Sequence, residues 1–276
     1  MASNSESQTE SRRLALITGA SGGIGEAFAH LLAEDNCDLI LVSRNENELN
    51  RVRGQIAAKF AKRHISVIAL DLCQADAGAR LIDELKALQL SPDVVINNAG
   101  YGSFGRTAEL PFDLQIGIVD VNVRALTDLS LRLLPGMIAR KRGGIINVAS
   151  TAAFMPGPYM SLYYASKAYV LSFSEALAAE LDGTGVTITV LCPGPVPTGF
   201  QERAQMQSIR FMRYLSSHSA HDVAAAGWEG FKQRRRVVIP GVMNKVSAFA
   251  GRYIPHWLVL PVMKILQAPP APKRER

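Results

Sequence analysis

The sequence predicts a three-layer α/β/α sandwich, built on a doubly wound parallel sheet of about seven strands. Short apolar segments alternate along the chain with longer amphipathic segments, which is typical of repeated strand–helix–strand units. The apolar segments are nearly continuous, as expected of strands that helices cover on both faces. A chain of 276 residues with 48% hydrophobic and 20% charged residues suits one such domain.

The predicted elements follow one another in a regular order. The first unit is a strand at 14–17, a helix at 23–35 and a strand at 38–43, followed by a helix at 46–62. Long helices are predicted at about 115–140 and 163–181. The remaining strands are predicted at 66–70, 93–97, 144–149, 187–191 and 236–239.

Composition along the chain predicts a single catalytic domain at 12–266, between a flexible N-terminus at 1–11 and a disordered tail at 267–276. The tail is rich in proline and charge, which is typical of segments that do not pack. At about 200–218 strand character is lost and apolar residues such as Met206 and Phe211 stand among polar ones. We interpret this segment as a helical flap over the substrate.

Charge and polarity exclude several classes of protein. The net charge of +6 is spread along the chain, and its longest basic run, Arg234–Arg236, is best interpreted as a solvated loop rather than a nucleic-acid site. The polar N-terminus lacks the apolar core of a signal peptide, so a cytoplasmic location is expected. The segment 254–266 is too short to span a membrane. Packing on the domain is favoured for it over contact with a membrane surface.

Cysteine and histidine spacing predicts no metal site. Cys37, Cys73 and Cys192 lie far apart and resemble small hydrophobic residues of a reducing compartment. The five histidines also lack the spacing of metal ligands.

A glycine-rich turn follows the first predicted strand and precedes the first helix. Its sequence, residues 18–25, is TGASGGIG. Glycines allow a tight turn and a close approach to a pyrophosphate, while free N–H groups at the helix N-terminus stabilise the anion. A glycine-rich turn also serves as a plain structural turn, but its position here favours a dinucleotide-binding site.

The spacing of Gly19, Gly23 and Gly25 resembles the T-G-x-x-x-G-x-G turn of the short-chain dehydrogenase/reductase family. Further motifs resembling that family follow in the family's order, over roughly residues 14–200: Asn97-Asn98-Ala99-Gly100, Asn122, Ser150, Tyr163 with Lys167, and Pro193-Gly194. The resemblance implies a Rossmann fold and an oxidoreductase that transfers hydride between a nicotinamide cofactor and a carbonyl or secondary alcohol. The region from Val237 onward resembles a bacterial subgroup of general oxidoreductases, and no substrate can be carried over from that subgroup.

The cofactor is expected to be NADP(H) rather than NAD(H). Arg44 ends the second strand, where an arginine suits a 2′-phosphate and a carboxylate suits a free 2′-hydroxyl. Two observations leave the choice open: Gly22 stands where many NADP-preferring relatives carry a basic residue, and Arg44 could be an ordinary exposed arginine. The resemblance implies the following cofactor-binding residues: Gly19, Ser21, Gly23, Ile24, Gly25, Arg44, Asp71, Leu72, Asn98, Ala99, Gly100, Tyr163, Lys167, Pro193, Gly194 and Thr198.

Tyr163 and Lys167 are the predicted centre of proton transfer. Four residues apart in a helical stretch, they lie on one helix face, where the lysine charge would lower the pKa of the phenol. Ser150 follows a strand and is expected to hydrogen-bond the substrate oxygen. By the resemblance, Asn122 holds a water that connects Lys167 to solvent. Taken alone, Tyr163 and Lys167 would be interpreted as amphipathic helix surface. The neighbouring Tyr159, Tyr164 and Ser166 are not expected to take part in catalysis, and Tyr164, offset by about 100° around the helix, is expected to face elsewhere.

The expected substrate is an uncharged, fairly hydrophobic ketone, aldehyde or secondary alcohol, because the predicted pocket at 101–104, 152–155 and Met160 is largely apolar. The resemblance implies a homodimer or homotetramer joined through the helices at 115–140 and 163–181. Two alternatives stay open: a non-catalytic NADP(H)-binding sensor, and a membrane-peripheral lipid or sterol reductase that uses the segment 254–266.

Overall fold

The computed structural model describes residues 12–197 and 218–268, and these residues form a parallel sheet of seven strands. The strand order is β3-β2-β1-β4-β5-β6-β7. This arrangement confirms the predicted doubly wound sheet. The strands are β1 (Leu14–Thr18), β2 (Asp38–Ser43), β3 (Ile65–Ala69), β4 (Val94–Asn97), β5 (Gly144–Val148), β6 (Thr187–Leu191) and β7 (Val237–Val238).

The last strand is shorter than the sequence predicts. β7 pairs with β6 through Val237 and Val238 alone, opposite Val190 and Leu191. The predicted strand at 236–239 is therefore reduced to two residues, and β7 is an edge of the sheet.

Helices cover both faces of the sheet. The predicted helix at 115–140 is in fact two helices, because a π-helical turn at Asp120–Ala125 interrupts it. The predicted helix at 46–62 ends three residues earlier, at Lys59. The helices are α1 (Gly23–Glu34), α2 (Glu46–Lys59), α3 (Ala77–Ala87), α4 (Phe112–Val119), α5 (Leu126–Ala139), α6 (Ser161–Glu180), α7 (Ala220–Lys232), α8 (Val242–Tyr253) and α9 (His256–Leu266).

Each face of the sheet has its own hydrophobic core, since successive side chains of a strand point to opposite faces. On one face Ile17 packs in a cluster with Phe28 of α1 and Trp228 of α7. On the other face Leu16 packs in a cluster with Leu129 of α5. Truncating a fully buried side chain such as Phe28 to alanine would cost about 3–5 kcal/mol of stability.

The C-terminal helices α8 and α9 are attached to this sandwich by few residues. Ala248 and Gly251 of α8 are buried, and α9 has no buried residue. The expected packing of 254–266 on the domain therefore buries no residue of α9 fully. Gln267, predicted to begin the disordered tail, is instead buried, and its amide nitrogen donates a hydrogen bond to the Tyr164 hydroxyl.

Three sequence predictions fall outside the described residues: the flexible N-terminus at 1–11, nearly all of the flap at 200–218, and the tail from 269 onward. Among the residues that the structure does describe, no helix is both long enough and apolar enough to cross a membrane.

Candidate active site

A cavity of about 810 Å³ opens at the C-terminal ends of the parallel strands. This edge of the sheet is where ligands bind in open α/β folds. It brings together fifteen of the residues singled out from the sequence: Gly19, Ser21, Gly23, Ile24, Arg44, Asp71, Leu72, Asn98, Ala99, Gly100, Ser150, Tyr163, Lys167, Pro193 and Gly194.

At Gly19 and Gly25 the glycine turn is packed so tightly that a side chain would not fit. Gly19 has a positive φ of 65°, and a Cβ added there would lie 2.9 Å from the Cα of Ala99. A Cβ on Gly25 would lie 2.3 Å from the carbonyl oxygen of Gly19. Gly25 does not line the cavity, contrary to its predicted cofactor contact. It lets α1 pack against the turn.

Thr18 and Asn98 hold the glycine turn against the loop that follows β4. The Thr18 hydroxyl accepts hydrogen bonds from the backbone N–H groups of Asn98 and Ala99, both at 3.0 Å. The Asn98 side-chain amide donates to the carbonyl oxygens of Thr18 and Gly19 at 3.0 and 3.2 Å. Sequence analysis gave Thr18 no role, although its place beside Gly19 in the motif is a signal that could have identified it.

The far end of the cavity lies beyond β2 and β3. Arg44 is exposed there, and Glu48 also lines the cavity. The buried Ser43 hydroxyl oxygen has no hydrogen-bond partner among the described residues. Such an orphaned polar atom is suited to a polar group of a ligand. Asp71 accepts a hydrogen bond from the backbone N–H of Cys73 at 3.0 Å, which fixes its carboxylate at the rim.

The half-buried Tyr163 and the buried Ser150 and Lys167 form the centre of the cavity. The Tyr163 phenol is hydrogen-bonded to the Ser150 hydroxyl. The Lys167 ammonium lies 5.8 Å from the centre of the Tyr163 ring and donates a 2.7 Å hydrogen bond to the carbonyl oxygen of Val148. Ser150 is fixed in turn by a hydrogen bond that it accepts from the backbone N–H of Ala152 at 3.1 Å.

Burial determines the pKa values of this centre. Desolvation raises the pKa of Tyr163 to about 12, although the hydrogen bond with Ser150 acts in the opposite direction. Desolvation also lowers the pKa of Lys167 to about 8. The predicted lowering of the Tyr163 pKa is therefore wrong for this structure, because loss of hydration outweighs the hydrogen bond with Ser150.

Asn122 lies beneath the site and does not line the cavity. Its side-chain oxygen accepts a hydrogen bond from the backbone N–H of Tyr101 at 3.1 Å, and its nitrogen donates to the Ser166 hydroxyl at 3.0 Å. Ser166 in turn donates to the carbonyl oxygen of Tyr163 at 2.7 Å. Ser166, for which the sequence predicts no role, thus links Asn122 to the backbone of Tyr163. The water that Asn122 is expected to hold stays a prediction.

Because residue 100 is a glycine, the loop after β4 can approach Asn122 and Lys167 closely. A Cβ on Gly100 would lie 2.9 Å from the Asn122 side-chain oxygen and 3.5 Å from the Lys167 nitrogen. No larger residue fits between the loop after β4 and this pair without moving one of them.

Tyr164 is the main residue that sequence analysis missed. It was expected to face away from the site, but its ring lines the cavity. It packs edge-on against Tyr163 at 6.1 Å between ring centres and lies against Gly157, where a Cβ would be 2.3 Å from the ring. Burial raises its pKa, and Gln267 donates a hydrogen bond to its hydroxyl.

The predicted substrate pocket is confirmed only in part. Tyr101, Ala152, Met155 and Met160 line the cavity, as expected. The rest of 101–104 and 152–155 does not, and Phe154 packs in the core instead. The missed wall comes from α8, α9 and the residue after α9: Met243, Asn244, Ser247, Met263, Leu266 and Gln267.

Two further sequence predictions concern Thr198 and metals. Thr198 lies outside the described residues, so its predicted cofactor contact stays a prediction. Within 12–197 and 218–268, no group of three or more His, Cys, Asp or Glu side chains is arranged to hold a metal ion.

Comparison with known proteins agrees with this geometry. The family model described as short chain dehydrogenase matches residues 13–208. A short chain dehydrogenase of Pseudocercospora fijiensis is 37% identical over 187 residues, which are 67% of this chain and 60% of that protein's length. An uncharacterized oxidoreductase of Myxococcus xanthus is 36% identical over 184 residues, 67% of this chain and 72% of the relative.

Solved structures give the same result. A short-chain dehydrogenase from Sphingobium yanoikuyae in complex with NADPH is 26% identical, with a TM-score of 0.76, and the match covers 95% of this chain and 100% of that one. A short chain dehydrogenase/reductase from Burkholderia phymatum in complex with NAD is also 26% identical, with a TM-score of 0.78 and coverage of 91% and 95%. This chain therefore belongs to the short-chain dehydrogenase/reductase family.

Proposed function

We propose that this protein interconverts an apolar carbonyl compound and the corresponding secondary alcohol, with NADP(H) as cofactor and Tyr163 as the general acid or base. The observation that carries the proposal is the hydrogen bond between the Tyr163 phenol and Ser150, beside Lys167, in the cavity that also contains the glycine turn. A phenol that carries a proton and a neighbouring hydroxyl are the groups that carbonyl reduction requires beside the substrate oxygen, and this supports the proposal.

The cavity fits a nicotinamide dinucleotide. Its volume lies within the usual range of ligand sites, about 300–1,000 Å³. The glycine turn leaves backbone N–H groups without side chains above them, and the orphaned Ser43 hydroxyl lies near the opposite end. The residues expected to hold the pyrophosphate are Ser21, Gly23 and Ile24, and those expected beside the adenosine are Arg44, Asp71 and Leu72. When bound, the cofactor supplies or accepts the hydride.

The proton is handled by this chain's own residues. With a pKa near 12, the Tyr163 phenol carries its proton at neutral pH and can donate it to a substrate oxygen during carbonyl reduction. Ser150 can hydrogen-bond the same oxygen as negative charge develops there. The ammonium of Lys167 then stabilises the phenolate that remains.

The shape of the cavity favours a bulky, apolar substrate. Met155, Met160, Met243, Met263 and Leu266 line it. Methionine side chains adapt to irregular apolar shapes. A 17-beta-hydroxysteroid dehydrogenase type 3 of Danio rerio is 33% identical over 202 residues, 71% of this chain and 65% of that protein, which also supports a bulky ketone.

The central test is an NADPH oxidation assay over a panel of ketones and aldehydes, with Tyr163→Phe compared with the wild type. We expect the variant to lose about 10²- to 10⁴-fold in kcat, the range that general acid–base catalysis contributes. It should still bind NADPH, as measured by cofactor fluorescence. Tyr159→Phe is the matched control, because Tyr159 does not line the cavity. Full activity of Tyr163→Phe would refute the role of Tyr163, and NADPH binding without any turnover in the wild type would favour the non-catalytic sensor.

Arg44→Asp tests the choice of cofactor. If Arg44 pairs with the 2′-phosphate, its loss removes charge-assisted hydrogen bonds of about 1.5–3 kcal/mol, so kcat/KM with NADPH should fall about 10- to 100-fold while NADH becomes the better cofactor. Arg53→Asp makes the same charge change at an exposed position outside the cavity and should leave the preference unchanged. An unchanged ratio of NADPH to NADH activity in Arg44→Asp would refute the proposed phosphate contact.

A further inference from the structure

The helices α8 and α9 expose an unusually large apolar surface. On α8, Phe249 and Tyr253 are 66% and 65% exposed, and their rings pack against each other at 4.6 Å between centres. On α9, Trp257 and Ile265 are 72% and 77% exposed. Exposed apolar residues concentrated on two consecutive helices commonly mark an interaction site. The exposed apolar residues of this surface are Val242, Met243, Val246, Phe249, Tyr253, Ile254, Trp257, Leu258, Leu260, Val262, Ile265 and Leu266.

The sandwich leaves this surface uncovered. Only Ala248 and Gly251 of α8 are buried, and Gly251 fits closely against Phe154 and Met155. α9 fully buries none of its residues. Directly after α9, Gln267 donates a hydrogen bond to Tyr164. The two helices therefore form a platform that buries few residues against the sandwich and is apolar on its outside.

Positive charge is concentrated in the same part of the chain. Residues 232–276 contain ten of the 30 lysines and arginines but only one of the 24 acidic residues, Glu275. The preceding residues have a slight excess of acidic side chains. Lys245, Arg252 and Lys264 are exposed on the two helices themselves, and Arg252 also lies 3.9 Å from Glu175 of α6.

We propose that α8 and α9 dock the protein on the surface of an anionic lipid bilayer. An apolar helix surface bordered by lysine and arginine is suited to lie in the interface of such a bilayer. Tyr253 and Trp257, at the junction of the two helices, are residue types that favour the boundary between lipid and water. A second copy of the chain is the less suitable occupant, because a twofold contact would bring the two basic regions together.

Docking would also place the cavity beside the bilayer. Met243 and Ser247 of α8 and Met263 and Leu266 of α9 line the cavity. Their helices thus provide both the outer apolar surface and an inner wall. The substrate class that follows is a ketone or alcohol dissolved in lipid, a conclusion that also rests on the proposed function.

The two tryptophans of the chain make docking measurable. Trp257 is exposed on the docking surface, whereas Trp228 is 3% exposed and donates a hydrogen bond to Asp35 at 2.6 Å. The full chain is mixed with phosphatidylcholine vesicles, with and without phosphatidylserine. Vesicles that contain phosphatidylserine should shift the tryptophan fluorescence emission to shorter wavelength. In a flotation assay, the protein should rise with these vesicles. Trp257→Phe should lose the shift and keep the flotation.

Variants locate the contact. Ile265→Glu and Phe249→Glu should abolish flotation, while Phe112→Glu, which changes an equally exposed residue on α4, should leave it intact. Lys245→Gln and Lys264→Gln should each weaken binding about fivefold, because one basic residue near an anionic surface contributes about 1 kcal/mol. Circular dichroism checks that every variant is folded.

Three outcomes would overturn the proposal. The first is the absence of both flotation and an emission shift with either vesicle. The second is equal flotation of Ile265→Glu and the wild type. The third is a protein that does not bind vesicles but forms a concentration-dependent dimer, which Ile265→Glu dissociates. That result would assign the surface to a second copy of the chain. Tyr163→Phe should still float, so docking and the proposed catalysis can fail independently.

Discussion

Tyr163 and Lys167 lie in surroundings that oppose charge on both side chains. Lys167 is 5% exposed, and desolvation lowers its pKa to about 8, while the Tyr163 pKa rises to about 12. At neutral pH the Tyr163 phenol therefore carries a proton that it can donate. Lys167 can lose its charge within the pH range that enzyme assays usually cover. The helical spacing of the pair was readable from the sequence, but its protonation was not, because burial is a property of the folded structure.

This environment predicts how carbonyl reduction depends on pH. Lys167 is positively charged below its lowered pKa and neutral above it, so stabilisation of the Tyr163 phenolate is lost as the pH rises through about 8. At saturating NADPH, kcat/KM for the ketone should be constant below pH 7 and should fall by up to tenfold per pH unit above pH 8. Tyr164→Phe should keep the same midpoint. A profile that stays flat to pH 10 would contradict the role given to Lys167.

At the scale of elements, the π-helical turn between α4 and α5 determines where Asn122 lies. The sequence predicted one uninterrupted helix, since the apolar pattern continues through 115–140. The wider turn at Asp120–Ala125 lets Asn122 hydrogen-bond Tyr101 and Ser166 at the same time. Such turns occur often at functional sites. A local hydrophobic pattern does not distinguish i→i+4 from i→i+5 hydrogen bonding, so only the structure could show the interruption.

The homo-oligomer that the family resemblance implies stays a prediction, and exposed apolar residues on the outer faces of α5 and α6 make it testable. Leu131 and Ile138 of α5 and Tyr169 of α6 are exposed, and Tyr169 stacks on Phe173. If these faces join two copies, the wild type should have at least twice the monomer mass of 29.9 kDa in sedimentation. Leu131→Glu should reduce that mass to the monomer value.

Leu88→Glu, at a similarly exposed position after α3, is the control for this variant and should leave the mass unchanged. A wild type that sediments as a monomer, or an oligomer that Leu131→Glu leaves intact, would exclude this interface.

At the scale of the whole molecule, the site lies where four adjacent strands end. Gly19 follows β1, Asn98 follows β4, Ser150 follows β5 and Pro193 follows β6, and these strands are neighbours in the order β1-β4-β5-β6. The motifs meet because parallel strands end at one edge of the sheet. The order of motifs along the chain was therefore enough to predict fifteen residues of the cavity, although Gly25 and Asn122 do not line it and Tyr164 was missed.

The sequence by itself determined the fold class, the strand after which each motif lies and the four-residue spacing of Tyr163 and Lys167. These properties are local, since periodicity and turn chemistry act over a few residues. The tertiary structure alone decided that Tyr164 faces the cavity and that Gln267, 103 residues further along the chain, hydrogen-bonds the Tyr164 hydroxyl. It alone also decided that α8 and α9 leave an apolar surface uncovered. Contacts between distant segments depend on how the elements pack, and no local pattern specifies that packing.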